Sequence, residues 1–432
     1  MGAIGWMLAI FGAALVLGLP IAVAIIASAL VPILLSGSFG ADVPYVIRSM
    51  IGGVDSFTLL ALPLFMLSGD IMCRGGVSRK LFDVFALITG KRAGGMPVAA
   101  IITCLFFGAI SGSGPATCAA VGAMVLPILV DDLGYDKLFC GALLSTAAGL
   151  AVIIPPSNSY VTICAVTGES IGDLMIAGII PGCLIGVFLM GWTIFYCKTR
   201  GEDKAKIAAN YDRLKAIGVG KILVRSIPAM LFPVLILGGI YGGVVTPTEA
   251  ACVSVFYALF ISLFVYRTVK IKDIPQFLMG ACRTMAPITI LLCGARAFAK
   301  IFTLTGAPTA LANWVISVVP NKAVFLIMVI VLLFVIGMFM DCGPANVILA
   351  PIFLPLAKLY GMNSIHFLLL MVCCLSIGFV TPPFGMNLFV AAPMIGSSSF
   401  DLGRKAMPFI AANLLAVLVI AFVPWFATVL IS

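Results

Sequence analysis

Long apolar runs separated by short polar gaps set the pattern of this chain. Ala3 to Gly18 is apolar and breaks at Gly18-Leu19-Pro20. Ile21 to Ser36 follows, then a polar loop with Asp42, Arg48 and Asp55, then a run from Phe57 to Met72. Residues 73–95 form a basic connection holding Arg74, Arg79, Lys80, Lys91 and Arg92. The runs are continuous, not alternating. That predicts α-helices and excludes the strand pattern of an outer-membrane barrel. At about 20 apolar residues per crossing, the chain holds about ten to fourteen spans.

Two kinds of interruption stand inside the later runs. Met96 to Val130 is split by Ser111-Gly112-Ser113-Gly114-Pro115. Each arm has about fifteen residues, or about 22 Å of helix against a hydrocarbon core of about 30 Å. The expectation is a re-entrant hairpin over residues 96–130. Leu138 to Thr167 is broken at Pro155-Pro156-Ser157-Asn158. Proline removes a donor and restrains the residue before it, so this reads as one discontinuous helix. Leu174 to Cys197 closes the first half, and residues 198–225 form a hydrophilic linker. The second half runs as Ser226 to Gly242, Thr248 to Tyr266, Thr284 to Leu304, and a hairpin from Ala323 to Ala357 interrupted at Asp341-Cys342-Gly343-Pro344. A broken helix from Ile365 to Ile395, interrupted at Thr381-Pro382-Pro383, and a last helix from Ala406 to Leu430 complete it.

The halves match in order. Pro20 pairs with Pro247, Pro63 with Pro287, Gly114-Pro115-Ala116 with Gly343-Pro344-Ala345, Leu126-Pro127 with Leu354-Pro355, Gly134 with Gly361, and Pro155-Pro156 with Pro382-Pro383. The offset stays between 224 and 229 residues. The chain therefore divides into a first repeat (1–197), the linker (198–225) and a second repeat (226–432), each with five crossings and one hairpin. An odd number of crossings inverts the second copy, which is a plan of secondary transporters. The fold class expected is an all-α polytopic membrane protein with about ten crossings plus two hairpins.

Composition narrows the function. Of 432 residues 62% are hydrophobic and 9% charged, with mean hydropathy +1.24 and one histidine. An ordinary soluble domain has about 25% charged residues. A soluble enzyme, a disordered chain and a disulfide-rich secreted module are excluded. The net charge of +9 reflects topology and not nucleic-acid binding. With the linker cytoplasmic, 20 of the 25 basic residues fall on the inner side, and only Arg48, Lys322 and Lys358 on the outer. This positive-inside bias places both termini outside. The 13 cysteines have no metal-ligand spacing, and Cys104, Cys118, Cys252, Cys293, Cys373 and Cys374 lie in apolar runs as packing residues. The N-terminus lacks a basic n-region, so it reads as a first helix and not a signal peptide.

Candidate chemistry lies at the interruptions, where backbone is freed at membrane depth. Half-helix N-termini suit carboxylates, and unwound carbonyls and hydroxyls suit Na⁺. The first pair of breaks offers Ser111, Gly112, Ser113, Thr117, Pro155, Pro156, Ser157 and Asn158 as substrate and ion ligands. The second offers Asp341, Gly343, Asn346, Thr381, Pro382, Pro383 and Asn387. Arg296 and Lys300 sit within a helix, and Asp70 lies near the position equivalent to Arg296, which suggests an intramembrane pair. Snorkelling is the plain alternative for Asp70 and Lys300. Glu249 reads as a helix cap and dipole partner, and a lone His366 makes no proton relay. No catalytic triad, metal-ligand cluster, Walker loop or dinucleotide fingerprint appears, so no enzymatic activity and no cofactor beyond Na⁺ are expected.

Four segments carry a resemblance: Gly108-Ala109-Ile110-Ser111-Gly112-Ser113, Ile154-Pro155-Pro156-Ser157, Thr246-Pro247-Thr248-Glu249-Ala250-Ala251, and Thr381-Pro382-Pro383-Phe384-Gly385-Met386-Asn387-Leu388-Phe389. With them the chain resembles, over nearly its whole length, the large membrane (M) subunit of tripartite ATP-independent periplasmic (TRAP) transporters. The resemblance implies an elevator-type, Na⁺-driven importer of a small organic anion in a bacterial inner membrane, with dicarboxylates and sialic acid among the candidates. It implies a separate small four-helix membrane subunit and a periplasmic solute-binding protein as partners. It also implies that Ser111–Ser113, Pro155–Asn158, Asp341–Asn346 and Thr381–Asn387 hold Na⁺ and substrate. Ser159-Tyr160-Val161-Thr162 and Cys342-Gly343-Pro344-Ala345-Asn346 depart from the family pattern, which bears on substrate identity. The alternatives are a stand-alone Na⁺/dicarboxylate carrier, a membrane-embedded enzyme and a channel.

Overall fold

The computed structural model describes residues 3–36, 41–306, 321–382 and 384–431, with 310, 313, 315 and 317–319 between them. Among these the chain is helical and has no strand. The first half holds α1 (Ala3–Val16), α2 (Ile21–Ser36), α3 (Val43–Gly52), α4 (Ala61–Arg74), α5 (Val77–Thr89), α6 (Gly95–Ser111), α7 (Gly114–Pro127), α8 (Lys137–Ala148), α9 (Asn158–Thr167), α10 (Ile171–Ala177) and α11 (Ile179–Arg200). Then come α12 (Lys204–Ile217), α13 (Val219–Tyr241), α14 (Pro247–Phe260) and α15 (Ile274–Leu304). The chain ends with α16 (Lys322–Gly337), α17 (Cys342–Leu359), α18 (Ser364–Gly378), α19 (Met386–Met394) and α20 (Ser399–Phe422), followed by a short turn, Trp425–Thr428.

Three stretches expected as connections are helical. The polar loop holds α3, capped by the Asp42 carboxylate, which accepts from Tyr45 N at 2.7 Å. The basic connection holds α5, which buries Leu81, Phe82 and Phe85 while Arg79 reaches Asp83 one turn on, at 3.2 Å. The linker holds α12, which buries Ile207 and Leu214. The charges on α5 occupy one helix face and leave the other apolar, so a polar average conceals an amphipathic helix. Among the described residues, eight helical stretches are long and apolar enough to cross a membrane. Two of them, Gly114–Asp132 and Cys342–Leu359, are second arms of the hairpins and exceed the fifteen residues expected. A π turn, Ile128–Asp132, extends the first, and the second accommodates Pro351 and Pro355 within its helix.

Local chemistry explains the breaks. At the first hairpin tip Gly112 ends α6 in the left-handed region, φ +60°, its N–H bonded to Gly108 O at 2.8 Å. Ser113 is extended, and Pro115 opens α7 where no donor is needed. Between α8 and α9 the chain passes through a 3₁₀ turn, Gly149–Val152, and the proline pair. Ser157 then caps α9, its hydroxyl donating to Val152 O at 2.7 Å and accepting from Ser159 N at 3.2 Å. Elsewhere Thr246 and Glu249 form a reciprocal capping box on α14, so Glu249 has the capping role expected of it. His366 bonds Ile420 O at 2.9 Å and is a structural contact. Cys104, Cys118, Cys373 and Cys374 are buried, whereas Cys252 is exposed and Cys293 partly so. No cysteine is paired among the described residues.

The helices form two packed groups. In one, α4 lies on α14, and α2, α3 and α4 on α15; α5 bridges the two, packing on α13 and more extensively on α6. In the other, α6, α7, α8, α9 and α11 pack with α16 to α20. Within this group, α6 lies on α8 and α16 on α18; the second arm α7 crosses to α19, and α17 crosses to α9. Small residues bring backbones together at matching places. A Cβ on Gly108 would lie 2.7 Å from Ala151 Cα, and one on Gly378 would lie 2.1 Å from the Gly337 carbonyl carbon. At the base of the group Glu202 accepts from Gly94 N at 3.0 Å and from the Tyr135 hydroxyl, joining the end of α11 to the start of the first hairpin. Burial and the Glu202 carboxylate push the Tyr135 hydroxyl far above its ordinary range, so it remains a donor.

Candidate functional site

The four breaks meet around one cavity of about 410 Å³. The first hairpin contributes Ser111, Gly112, Ser113 and Gly114; the first broken helix contributes Val152, Asn158, Ser159 and Thr162. Asp341 and Gly343 come from the second hairpin, and Phe379 and Met386 from the second broken helix. The far wall is made by α4 and α15, through Gly69, Asp70, Cys73, Arg74, Gly280, Ala281 and Thr284.

The breaks also lock to one another. A Cβ on Gly112 would sit 3.0 Å from Pro156 O and 3.4 Å from Asn158 N, so the first hairpin tip lies directly on the Pro155-Pro156 break. A Cβ on Gly114 would sit 3.2 Å from Asn387 Oδ1 and 3.1 Å from the Phe379 ring. Cys118 Sγ donates to Asn387 O at 3.6 Å. The Ser111 hydroxyl shares a 2.6 Å hydrogen bond with Thr117 behind the tip. Thr381 Oγ1 donates to Ile377 O at 2.9 Å, and Asn387 Nδ2 donates to Ser145 O at 2.9 Å.

Of the residues singled out from sequence, Ser111, Gly112, Ser113, Asn158, Asp341 and Gly343 line the cavity. Thr117, Ser157, Asn346, Thr381 and Asn387 are buried behind it. Pro155 and Pro156 shape the break against Gly112, and Pro382 packs where a Cβ on Gly403 would come within 2.3 Å of it. Pro383 lies outside the described residues. Ser159 and Thr162, in the segment that departs from the family pattern, line the cavity as well. They fall on the face of α9 that Asn158 presents, one and four residues on, and that spacing was the available signal.

The Asp70–Arg296 pair is not formed. Asp70 lies 3.6 Å from Arg74 on its own helix, and Arg296 Nη1 donates to Ala165 O, at the end of α9, at 3.1 Å. A Cβ on Gly280 of α15 would lie 3.2 Å from Asp70 Oδ2. Arg296 is sixteen residues further along that helix, a rise of about 24 Å, and lines two other cavities of about 720 and 560 Å³ instead.

Three buried amides are left unsatisfied at the breaks. Asn158 Oδ1, Asn387 Oδ1 and both side-chain polar atoms of Asn346 have no hydrogen-bond partner. Each such group costs about 1–3 kcal/mol when unpaired, which makes it a place where a ligand or ion would be stabilising. Among the described residues no cluster of His, Cys, Asp and Glu could hold a metal. The groups presented are hydroxyls, amide oxygens and carbonyls, with the carboxylates of Asp70 and Asp341 and the guanidinium of Arg74. Such groups can hold a hard cation and, at helix N-termini, an oxyanion.

Comparison with known proteins gives a consistent picture. The family model for "Tripartite ATP-independent periplasmic transporter, DctM component" matches residues 8–426. The isethionate TRAP transporter permease protein DctMQ of Oleidesulfovibrio alaskensis is 39% identical over 415 residues, 96% of this chain. The chain spans only 64% of that relative's length. The C4-dicarboxylate TRAP transporter large permease protein DctM of Pseudomonas aeruginosa is 36% identical, covering 86% of this chain and 85% of its own. The sialic acid TRAP transporter large permease protein SiaM of Vibrio cholerae is 30% identical over 99% of this chain and 96% of its own. Among solved structures, the YdaH transporter of Alcanivorax borkumensis superposes with a TM-score of 0.61 over 88% of each chain, at 14% identity, a likeness of fold.

Proposed function

Because the chain belongs to the DctM component family of tripartite ATP-independent periplasmic transporters, a family of multi-pass permeases and not of enzymes, we propose that it imports a small organic acid by Na⁺-coupled secondary active transport. The observation that carries this reading is the convergence of all four helix breaks on one cavity of about 410 Å³. That volume is within the range of small-molecule sites. The relatives named for isethionate, C4-dicarboxylates and sialic acid support a small carboxylate or sulfonate as the substrate class.

The cavity's parts divide the work. The freed N–H groups and dipole ends at the starts of α7, α9 and α17 take the anion, assisted by the hydroxyls of Ser111, Ser113, Ser159 and Thr162. The orphan amide oxygens of Asn158, Asn346 and Asn387, with the unwound carbonyls beside them, take Na⁺. The two halves are an inverted repeat, with about ten crossings, two re-entrant hairpins and both termini periplasmic in a bacterial inner membrane. The hairpins and broken helices slide as one body along the group built on α4, α14 and α15. Import follows if the body moves when Na⁺ and anion are bound together or when both are absent. A small four-helix membrane subunit and a periplasmic solute-binding protein complete the system.

Reconstitution in proteoliposomes with the small subunit tests the tripartite reading. Succinate, isethionate and sialic acid are offered with and without the cognate binding protein. Uptake of one of them is expected only with the binding protein. Equal uptake without it would instead identify a stand-alone carrier.

A further inference from the structure

One wall of the cavity belongs to neither a hairpin nor a broken helix, and it carries a charge. Arg74, in the last turn of α4, is the one basic side chain among the lining residues. Its Nε lies 3.6 Å from Asp70 Oδ1, and its guanidinium carbon is 5.3 Å from the centre of the Phe277 ring on α15. These contacts orient the planar group. Its terminal NH₂ groups make no hydrogen bond to a described residue, and the side chain is 49% exposed. A half-exposed pair of this kind along one helix is weak. A bidentate, charge-assisted bond from arginine to a substrate oxyanion is much stronger. Asp70 is thus a partner that an incoming oxyanion can outcompete.

Resting on the function proposed above, we propose that Arg74 is a specificity-determining residue on the stationary wall, taking the polar end of the substrate distal to the hairpin tips, a second carboxylate where the acid has one and a hydroxyl otherwise. The hairpin tips hold the acid group. Arg74 sits on α4, which packs foremost on α14 and also on α15, and meets the first hairpin at its arm α6, across the boundary between the two groups. A substrate carried by the hairpins therefore meets Arg74 at one end of the movement only. The basic segment beginning at residue 73 puts that end on the cytoplasmic side. Arg74 thus acts on release and on substrates with two charged or strongly polar ends, while capture from the binding protein proceeds without it.

The test uses the reconstituted complex with its binding protein and the acid that wild type transports. Arg74→Ala should raise the half-saturating lumenal concentration for efflux by about tenfold or more. The KM for binding-protein-driven uptake should stay within about twofold. Arg74→Lys keeps the charge, loses the fork and should fall between them. Asp70→Asn removes the competing carboxylate and should lower the lumenal half-saturation, a readout that survives even if Arg74→Ala folds poorly. An unchanged lumenal value in the Arg74 variants, an equal rise on both faces, or a rise in Asp70→Asn overturns the assignment. A wild-type complex that moves none of the three acids refutes the functional reading itself, and this assignment with it.

Discussion

Gly378→Ala should leave little folded protein. The added Cβ would lie 2.1 Å from the carbonyl carbon of Gly337, 2.3 Å from its oxygen and 2.5 Å from its Cα. All three atoms are backbone, so no rotamer change relieves the overlap. The crossing of α16 and α18 would have to open, and with it the packing that sets the second hairpin beside its broken helix. Overpacking costs about 1–3 kcal/mol where side chains can give way, and more where they cannot. Against a total stability of about 5–15 kcal/mol, that is a large share. The check is the yield of monodisperse complex after solubilisation, with its melting temperature. Gly191→Ala on α11, where a Cβ meets nothing within 4 Å, should behave as wild type. A Gly378→Ala complex that melts within about 2 °C of wild type would contradict the packing described.

Asn387→Ala should weaken the binding of the coupling Na⁺. Asn387 is fully buried, its Nδ2 bonded to Ser145 O and its Oδ1 without a partner beside the first turn of α7. Removing the amide strands the Ser145 carbonyl, at about 1–3 kcal/mol, and deletes a candidate Na⁺ ligand. The Na⁺ concentration for half-maximal uptake should rise by about tenfold or more, the equivalent of one lost ligand worth about 1.4 kcal/mol. Asn413→Ala is the comparison. Asn413 on α20 also has an unpartnered, buried Oδ1 but stands apart from the four breaks. Its Na⁺ dependence should stay within about twofold of wild type. Equal Na⁺ dependence in wild type and Asn387→Ala would remove Asn387 from the ion site.

The helix breaks were legible because they are written in local chemistry. Gly112 at positive φ, Pro115 at a helix start and the donor-free Pro155-Pro156 pair act over a few residues, whatever packs around them. Hydropathy located the apolar helices for the same reason. What it concealed was amphipathic structure: α5 mixes Arg79, Lys80 and Asp83 with buried Leu81, Phe82 and Phe85, and only the 3.6-residue period separates them. Side-chain partners were less legible still. Asp70 and Arg296 are matched by the repeat offset, yet the register of α4 against α15 sets Asp70 beside Gly280, far from Arg296. The α4 and α15 wall of the cavity was hidden likewise, because Arg74 reads in sequence as one of several basic residues after a span. Its place beside the hairpin tips depends on long-range packing, as in the 3.1 Å gap between a Cβ on Gly69 and Ser111 Cα.

The central claim is that Na⁺ drives this chain to import an organic acid. The most direct measurement is the accumulation of labelled acid in proteoliposomes containing the chain and its small subunit, with loaded binding protein outside and an inward Na⁺ gradient imposed. The account predicts accumulation above the external free concentration, abolished when K⁺ replaces Na⁺ on both sides of the membrane. Undiminished accumulation with K⁺ alone would contradict it.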